Sequence, residues 1–231
     1  MGKREHLLPS TLVLMAALDE EKGVGPTLME LKGYLPNAYF LVVDGNSRDK
    51  TVHVAKSLGS DVIYQRSRGK GDAIGQGISH VNGDFDYVVL TDADHTYPAV
   101  FVPQMIDVLE ANPQVGMVCG NRFNSHFRLK AMGDMFYFGN RVVAFAYNML
   151  NGLELRDPLT GLRVVRWEIL KNWKPKSDGF DVEVELNHHV ERQGYQIAEI
   201  PISYRPRLGE KKLKMKHGIA ILKRMLTESM Y

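Results

Sequence analysis

Asp92 and Asp94 are the side chains best placed for chemistry, one residue apart at the end of the apolar run Tyr87-Val88-Val89-Leu90-Thr91. Two carboxylates so close repel each other unless a cation or a shared proton lies between them. Hard oxygen ligands of this kind suit Mg2+ or Mn2+, ions that usually also hold substrate phosphates. Asp19 and Glu20 follow the first apolar run of the chain, and Asp44 follows the second. If those runs are parallel strands, all these carboxylates lie along one sheet edge, where open α/β sheets bind ligands. There Asp44 suits hydrogen bonding to a base or a ribose. Lys70, between Gly69 and Gly71 ahead of a helical pattern, offers an ammonium and a helix N-terminus to an anion. The Asp-Ala-Asp spacing by itself also fits a turn or a helix cap, so its weight comes from these neighbours.

The elements that must position these groups are readable from periodicity. Leu12–Ala17, Tyr39–Val43, Val62–Gln65 and the Tyr87 run read as short buried strands. Helical patterns at about 25–34, 51–58 and 71–81 separate them, and Asp49 and Thr51 are typical first-turn residues for the second. This alternation predicts an α/β fold with a parallel sheet covered by helices on both faces. A helix over 99–111 and a strand over 115–119 follow. The second half adds a helix over 133–150, a strand near 162–166, a helix over 180–193 carrying Asp181, Glu183 and Glu185, and a strand over 196–203. A closing helix over 217–231 places Ile219, Leu222, Leu226 and Met230 on one face, with Lys223 off that stripe. Residues 1–213 are expected to form one catalytic domain and 214–231 an amphipathic, membrane-proximal extension.

The 231 residues suffice for a substantial core, and 44% hydrophobic with 24% charged residues is a soluble, globular composition. A net charge of +2 does not argue for nucleic acid. The basic residues instead crowd late, at Arg205, Arg207, Lys211, Lys212, Lys214 and Lys216 against Glu210. The single Cys119 lies in an apolar run, which excludes a disulfide framework and suits a reducing compartment. No run reaches the roughly 18 to 20 apolar residues of a spanning helix. Work at a membrane would therefore mean lying on it or being held there by a partner.

In order along the chain stand Ala17-Leu18-Asp19-Glu20-Glu21, Asp44-Gly45-Asn46-Ser47-Arg48-Asp49-Lys50-Thr51, Gly69-Lys70-Gly71, Asp92-Ala93-Asp94 and Gly120-Asn121-Arg122. Asp157-Pro158-Leu159-Thr160-Gly161-Leu162-Arg163 and Arg207-Leu208-Gly209-Glu210-Lys211-Lys212-Leu213 complete the series. Together, over roughly 11–213, they resemble a family 2 glycosyltransferase of the GT-A fold, in the dolichyl-phosphate mannose synthase group and its polyprenyl-phosphate glucosyltransferase relatives. The resemblance implies a Rossmann-like, mostly parallel central sheet flanked by helices, and an inverting hexose transfer from a GDP- or UDP-sugar to dolichyl or polyprenyl phosphate. It implies that Ala17, Leu18, Glu20, Asp44, Ser47, Asp49, Lys70 and Ala93 bind the nucleotide. Asp92 and Asp94 would hold Mg2+ or Mn2+ on the donor diphosphate. Arg122, Arg163 and Arg207, with Lys212, would face the acceptor phosphate. It also implies a cytoplasmic enzyme, peripheral on the cytoplasmic face of a membrane, with a membrane-anchoring subunit or a homo-oligomer as possible company. Departures from the pattern are Asp19 for the usual Asn, His95-Thr96 where Leu-Gln often follows the second acid, and Lys211 where Ser is usual. His95 is accordingly expected to pack or to donate from behind the site.

The residue types agree with this chemistry. A leaving diphosphate needs neutralising, which a carboxylate-bound divalent ion does. A lipid monophosphate is already an anionic nucleophile, so arginines that hold and orient it suffice without a strong base. A Ser-His or Cys-His pair is not evident. Asp92-x-Asp94-x-Thr96 also matches the haloacid-dehalogenase phosphatase signature, but three strands precede it and no later Gly-Asp-x-x-x-Asp follows. A nucleotidyltransferase would open with a Gly-rich basic loop, and a non-enzymatic membrane adaptor would leave the strand-end acids unexplained.

Overall fold

The computed structural model describes residues 9–123, 141, 144, 145, 147–149, 155–210, 212 and 217–229. Its first half alternates β1 (Thr11–Ala17), α1 (Val24–Tyr34), β2 (Tyr39–Asp44), α2 (Thr51–Ser57), β3 (Asp61–Tyr64), α3 (Lys70–His80) and β4 (Tyr87–Asp92). Then come α4 (Phe101–Ala111), β5 (Val115–Asn121), β6 (Arg163–Arg166), a short α5 (Trp167–Leu170), α6 (Val182–Arg192), β7 (Gln196–Pro201) and α7 (His217–Glu228). Most of the expected helix over 133–150 lies outside the described residues. The remaining boundaries fall within two residues of the sequence reading, except that α7 ends at Glu228. The one-turn α5 had no periodic signal to betray it.

The strands form one seven-stranded sheet in the order β3-β2-β1-β4-β6-β5-β7. β1 pairs in parallel with β2 and with β4, so the strand order reverses around it. Such a reversal opens a crevice at the carboxyl ends of the strands. Register fixes what stands there: Ala17 is opposite Asp44 across one seam, and Ala16 is opposite Asp92 across the other. β6 inserts between β4 and β5 antiparallel to both, while β5 and β7 pair in parallel. The sheet is thus mostly parallel.

Strands β1 and β4 are apolar on both faces because both faces are covered. Val13, Met15 and Val89 pack into a cluster with α1 and α4, while Leu12, Leu14, Val88 and Leu90 pack into a second with α3, α5 and α6. Each such side chain contributes about 1.5–3 kcal/mol by leaving water. A smaller third cluster joins Tyr147, Leu155 and Val184 to Ile221 and Met225 of α7. α7 therefore turns Ile221 and Met225 inward, whereas Leu222 and Leu226 of the expected apolar stripe are 43% and 56% exposed. Ile219 and Met230 contribute nothing to this picture, since the side chain of the first and the whole of the second lie outside the described residues.

Candidate active site

At the carboxyl ends of β1 and β4 a cavity of about 360 Å3 opens, with Ala16, Leu18, Lys70, Asp94, Arg207 and Lys212 among its walls. Ala17, Glu20, Asp92, Ala93 and Arg122 also line it. Ten of the residues expected to bind donor, metal or acceptor thus share one space.

The two carboxylates at its centre differ. Asp92 Oδ1 accepts from Lys70 Nζ at 2.6 Å, and the same ammonium lies 2.7 Å from Glu183 Oε1 on α6. Burial opposes the charge on Asp92, but Lys70, with Arg122 and Arg207, outweighs it and holds the carboxyl below its ordinary pKa. Burial likewise opposes the Lys70 ammonium, and its two carboxylates hold it well above the usual lysine value. Asp94 Oδ1 accepts from the Thr96 amide at 3.1 Å and hydroxyl at 2.6 Å, and Oδ2 lies 3.6 Å from Arg207. Burial, then the Asp92 charge, raises its pKa. Among the described residues no group of three or more His, Cys, Asp or Glu side chains is arranged to hold a metal ion. The donor set still fits one, because Asp94 is buried beside a second carboxylate and Glu20 Oε2 is buried without a partner. Donor phosphates and water ordinarily complete such a shell.

Lys70 lines the cavity as expected, paired there with acids. It is the first residue of α3, and its charge is held between Asp92 and Glu183. Its turn fits only because the flanking residues are glycines. Gly69 has φ +94, and a Cβ there would stand 2.0 Å from Asp178 O; at Gly71 it would stand 1.9 Å from Ser177 O.

The arginines also separate. Arg207 donates to Glu20 Oε1 while its Nε is buried without a partner. Burial pushes Glu20 up to about 7 against the pull of Arg207. Arg122 lines the cavity, but its fork grips Asp157 at 2.6 and 2.7 Å and its plane lies 5.4 Å from the Tyr204 ring. Arg163 is not on the cavity wall at all. Only 1% exposed, it donates to Thr160 O at 2.9 Å, Pro158 O at 2.7 Å and Asn187 Oδ1 at 2.5 Å. The expected contact of Arg163 with an acceptor phosphate gives way to a structural part, because its donors hold the 157–161 loop.

Asp44, Ser47 and Asp49 sit behind the cavity rather than on its wall. Asp44 is fully buried and accepts from the Ser47 amide at 2.9 Å and hydroxyl at 2.5 Å. Ser47 Oγ in turn accepts from the Asp19 amide at 2.9 Å, and Asp49 accepts from the Glu21 amide at 3.0 Å. These residues fasten the β2 loop to the β1 loop, where Asp19 takes a left-handed φ of 47. His95, with φ 62, lies 3.1 Å from Arg205 and outside the cavity. Burial and Arg205 hold its pKa low, in keeping with packing behind the site.

Sequence reading missed Glu183, Phe180, Tyr97, Gly161 and Tyr204 as wall residues. Glu183 had a signal in the acidic start of its helix. Gly161 had one in the Asp157–Gly161 loop: a Cβ there would stand 2.5 Å from Asp92 Oδ2.

Comparison with known proteins agrees with this geometry. The profile of Glycosyl transferase family 2 matches residues 12–174. The chain is 30% identical over 211 residues to a dolichyl-phosphate hexose transferase of Haloferax volcanii, covering 90% of this chain and 89% of that one. It is 33% identical over 171 residues to glycosyltransferase AglJ of the same organism, covering 74% of this chain but only 55% of AglJ. In fold it resembles glucosyl-3-phosphoglycerate synthase of Mycobacterium tuberculosis, crystallised with Mn2+, UDP-glucose and phosphoglyceric acid. The TM-score is 0.75 at 20% identity, over 96% of this chain and 80% of that one.

Proposed function

The chain belongs to glycosyl transferase family 2, and on that premise we propose that it transfers a hexose from a nucleotide-diphosphate sugar to dolichyl or polyprenyl phosphate, for glycan assembly. The observation that carries this reading is the polarity of the cavity. Asp92, Asp94 and Glu20 gather at the strand ends, and Arg207 and Lys212 stand over them from the C-terminal segment. A donor diphosphate suits the acidic floor with a divalent ion, and an acceptor phosphate suits the cationic side. The name of the Haloferax relative supplies the acceptor class.

The nucleotide would lie along Ala16, Ala17 and Leu18, with Gln65 and Gly69 across from them, on a loop platform braced by Asp44, Ser47 and Asp49. Asp94, and Asp92 beside it, would hold Mg2+ or Mn2+; when bound, the ion neutralises the leaving diphosphate. Asp94 is the stronger candidate, since Lys70 already compensates Asp92. Arg207 would exchange the Glu20 carboxylate for the acceptor phosphate, a bidentate match that also brings the nucleophile into line. A phosphate oxygen then bonds to the anomeric carbon as the bond to the donor diphosphate breaks. The electron pair leaves with the nucleoside diphosphate and the configuration inverts. The nucleophile is already anionic, so no side chain has to remove a proton. Arg122, spent on Asp157, lends positive potential from the wall. Acting on a lipid acceptor, the enzyme would be peripheral on the cytoplasmic face of a membrane.

Incubation with a panel of UDP- and GDP-hexoses and Mn2+, with and without dolichyl phosphate, tests this. Expected is a lipid-extractable sugar phosphate formed only with the lipid. Transfer to phosphoglycerate instead, or donor hydrolysis alone, would overturn the acceptor assignment.

A further inference from the structure

Segment 176–183 joins the donor side of the cavity to the C-terminal helix. Phe180 and Glu183 of this arm line the cavity, and Glu183 holds Lys70. Two residues further on, the Glu185 carboxylate accepts the backbone amides of Lys176 and Ser177, both at 2.7 Å. The loop so gathered presses on the Lys70 turn: the Gly71 amide donates to Asp178 O at 3.1 Å and Gly179 O at 3.2 Å. The two glycines of the turn admit those carbonyls where any Cβ would collide.

Beside Glu185, already held by those amides, stands a cation from α7. Arg224 lies among three carboxylates, with Nε 3.0 Å from Asp181 Oδ2, Nη1 3.3 Å from Glu228 Oε1 and Nη2 3.9 Å from Glu185 Oε2. Its side chain is mostly covered. Glu228 keeps Arg192 as a second partner at 2.7 Å. Without the Arg224 guanidinium, however, Asp181 and Glu185 are left uncompensated at a largely desolvated contact, and repulsion favours swinging Glu185 off the loop amides.

We propose that Arg224 is a positioning residue for the donor side of the site, acting through Glu185 and the 176–179 loop on the turn that carries Lys70. The chain of contacts is continuous: Arg224 to Glu185, Glu185 to the loop amides, loop carbonyls to Gly71, and Lys70 to Asp92 and Glu183. The C-terminal helix thereby sets how firmly Lys70 fixes the first carboxylate of the site.

The proposal rests on the glycosyltransferase reading only for what Lys70 serves, so its first test needs no substrate. Hydrogen exchange on the full chain is compared for wild type, Arg224→Met and Arg224→Lys. In Arg224→Met, exchange at Gly71, Lys176 and Ser177 rises roughly tenfold, while the amides of β1, β2 and β4 keep their protection. Arg224→Lys, which retains a charge but not the fork, falls between. If Arg224→Met does not fold, Glu185→Gln takes its place and opens the same amides. Unchanged protection at those three amides overturns the proposal, and so does an equal loss throughout the sheet, which is a merely structural effect. In the second test, Arg224→Met raises the KM for UDP-glucose or GDP-mannose, whichever the wild type uses, about tenfold and leaves that for dolichyl phosphate unchanged. An unchanged donor KM counts against the proposal. A wild type that uses neither donor defeats the functional reading and leaves the exchange result standing.

Discussion

Each cation around the cavity has a different share of its charge already committed, and that share orders its response to substitution. Arg207 holds one carboxylate closely and leaves Nε without a partner, so it has donors to give. Arg207→Lys should raise the KM for dolichyl phosphate about tenfold and leave the donor KM nearly unchanged, because lysine lacks the bidentate fork. Equal effects on both substrates would remove Arg207 from the acceptor side. Arg122 is committed in full to Asp157, which is itself fully buried. Arg122→Ala should cost about 3–5 kcal/mol of stability, measured by denaturant titration, because it leaves that carboxylate buried and unpaired. Asp94→Ala should lower turnover by a factor of roughly 100 or more, with the fold intact by circular dichroism. Undiminished turnover in excess EDTA would disprove the metal assignment behind it. Much of this was legible in the sequence because the acids and the Lys70 turn follow apolar runs at fixed spacing. Arg163 was not, because three arginines look alike until burial separates them: one meets backbone carbonyls, one a buried acid, one an open space. Glu183 and Tyr204 were missed because elements far along the chain bring them to the site, and no local spacing records that.

At the scale of elements, the strand runs and their helices were readable because apolar periodicity and buried strands are local properties. Sheet order was not. The insertion of antiparallel β6 between β4 and β5 depends on pairings across 40 residues and more, and it alone brings the Asp157–Gly161 loop under Asp92. The packing of α6 against its neighbours carries a pH signature. Burial raises Glu191 to about 7, and its Oε1 lacks a partner. Facing it are His188, at 4.0 Å, and Arg192 on the same helix, and Tyr147 from the neighbouring segment; Glu228 of α7 stands near His188. A carboxyl raised in the folded state is protonated there while the unfolded chain has already lost its proton. Its contribution therefore falls as pH rises from about 4.5 to about 7 and is fully unfavourable above. Glu191→Gln should remove that slope, making the variant relatively more stable at pH 8 than at pH 4. Parallel stability curves for variant and wild type across that range would show that Glu191 titrates normally.

For the whole molecule, the question is how this cavity meets a phosphate anchored in lipid. Among the described residues no helix is long and apolar enough to cross a membrane. The late basic cluster is a weaker lever than its composition suggests, since Arg205 is bound bidentately to Glu30 at 2.6 and 2.9 Å and Arg207 is held by Glu20. Each remaining lysine near an acidic leaflet contributes about 1 kcal/mol at modest salt. The apolar contribution then decides. α7 spends Ile221 and Met225 on the protein's own core and leaves Leu222 and Leu226 outward beside Lys223. Phe145 and Met149, on the segment that carries the buried Tyr147, are likewise exposed. Each methylene these side chains sink into the acyl boundary is worth about 0.8 kcal/mol. On the proposed function, this surface would rest on the leaflet, with Arg207 ten residues before α7 begins. Leu222→Gln with Leu226→Gln should therefore cut co-sedimentation with anionic vesicles by roughly tenfold, since two leucines partly buried in the interface supply about that much free energy. Turnover with a short-chain, water-soluble polyprenyl phosphate should be unaffected. Equal sedimentation of the two proteins, or binding indifferent to salt, would refute this mode of docking while leaving the chemistry of the cavity untouched.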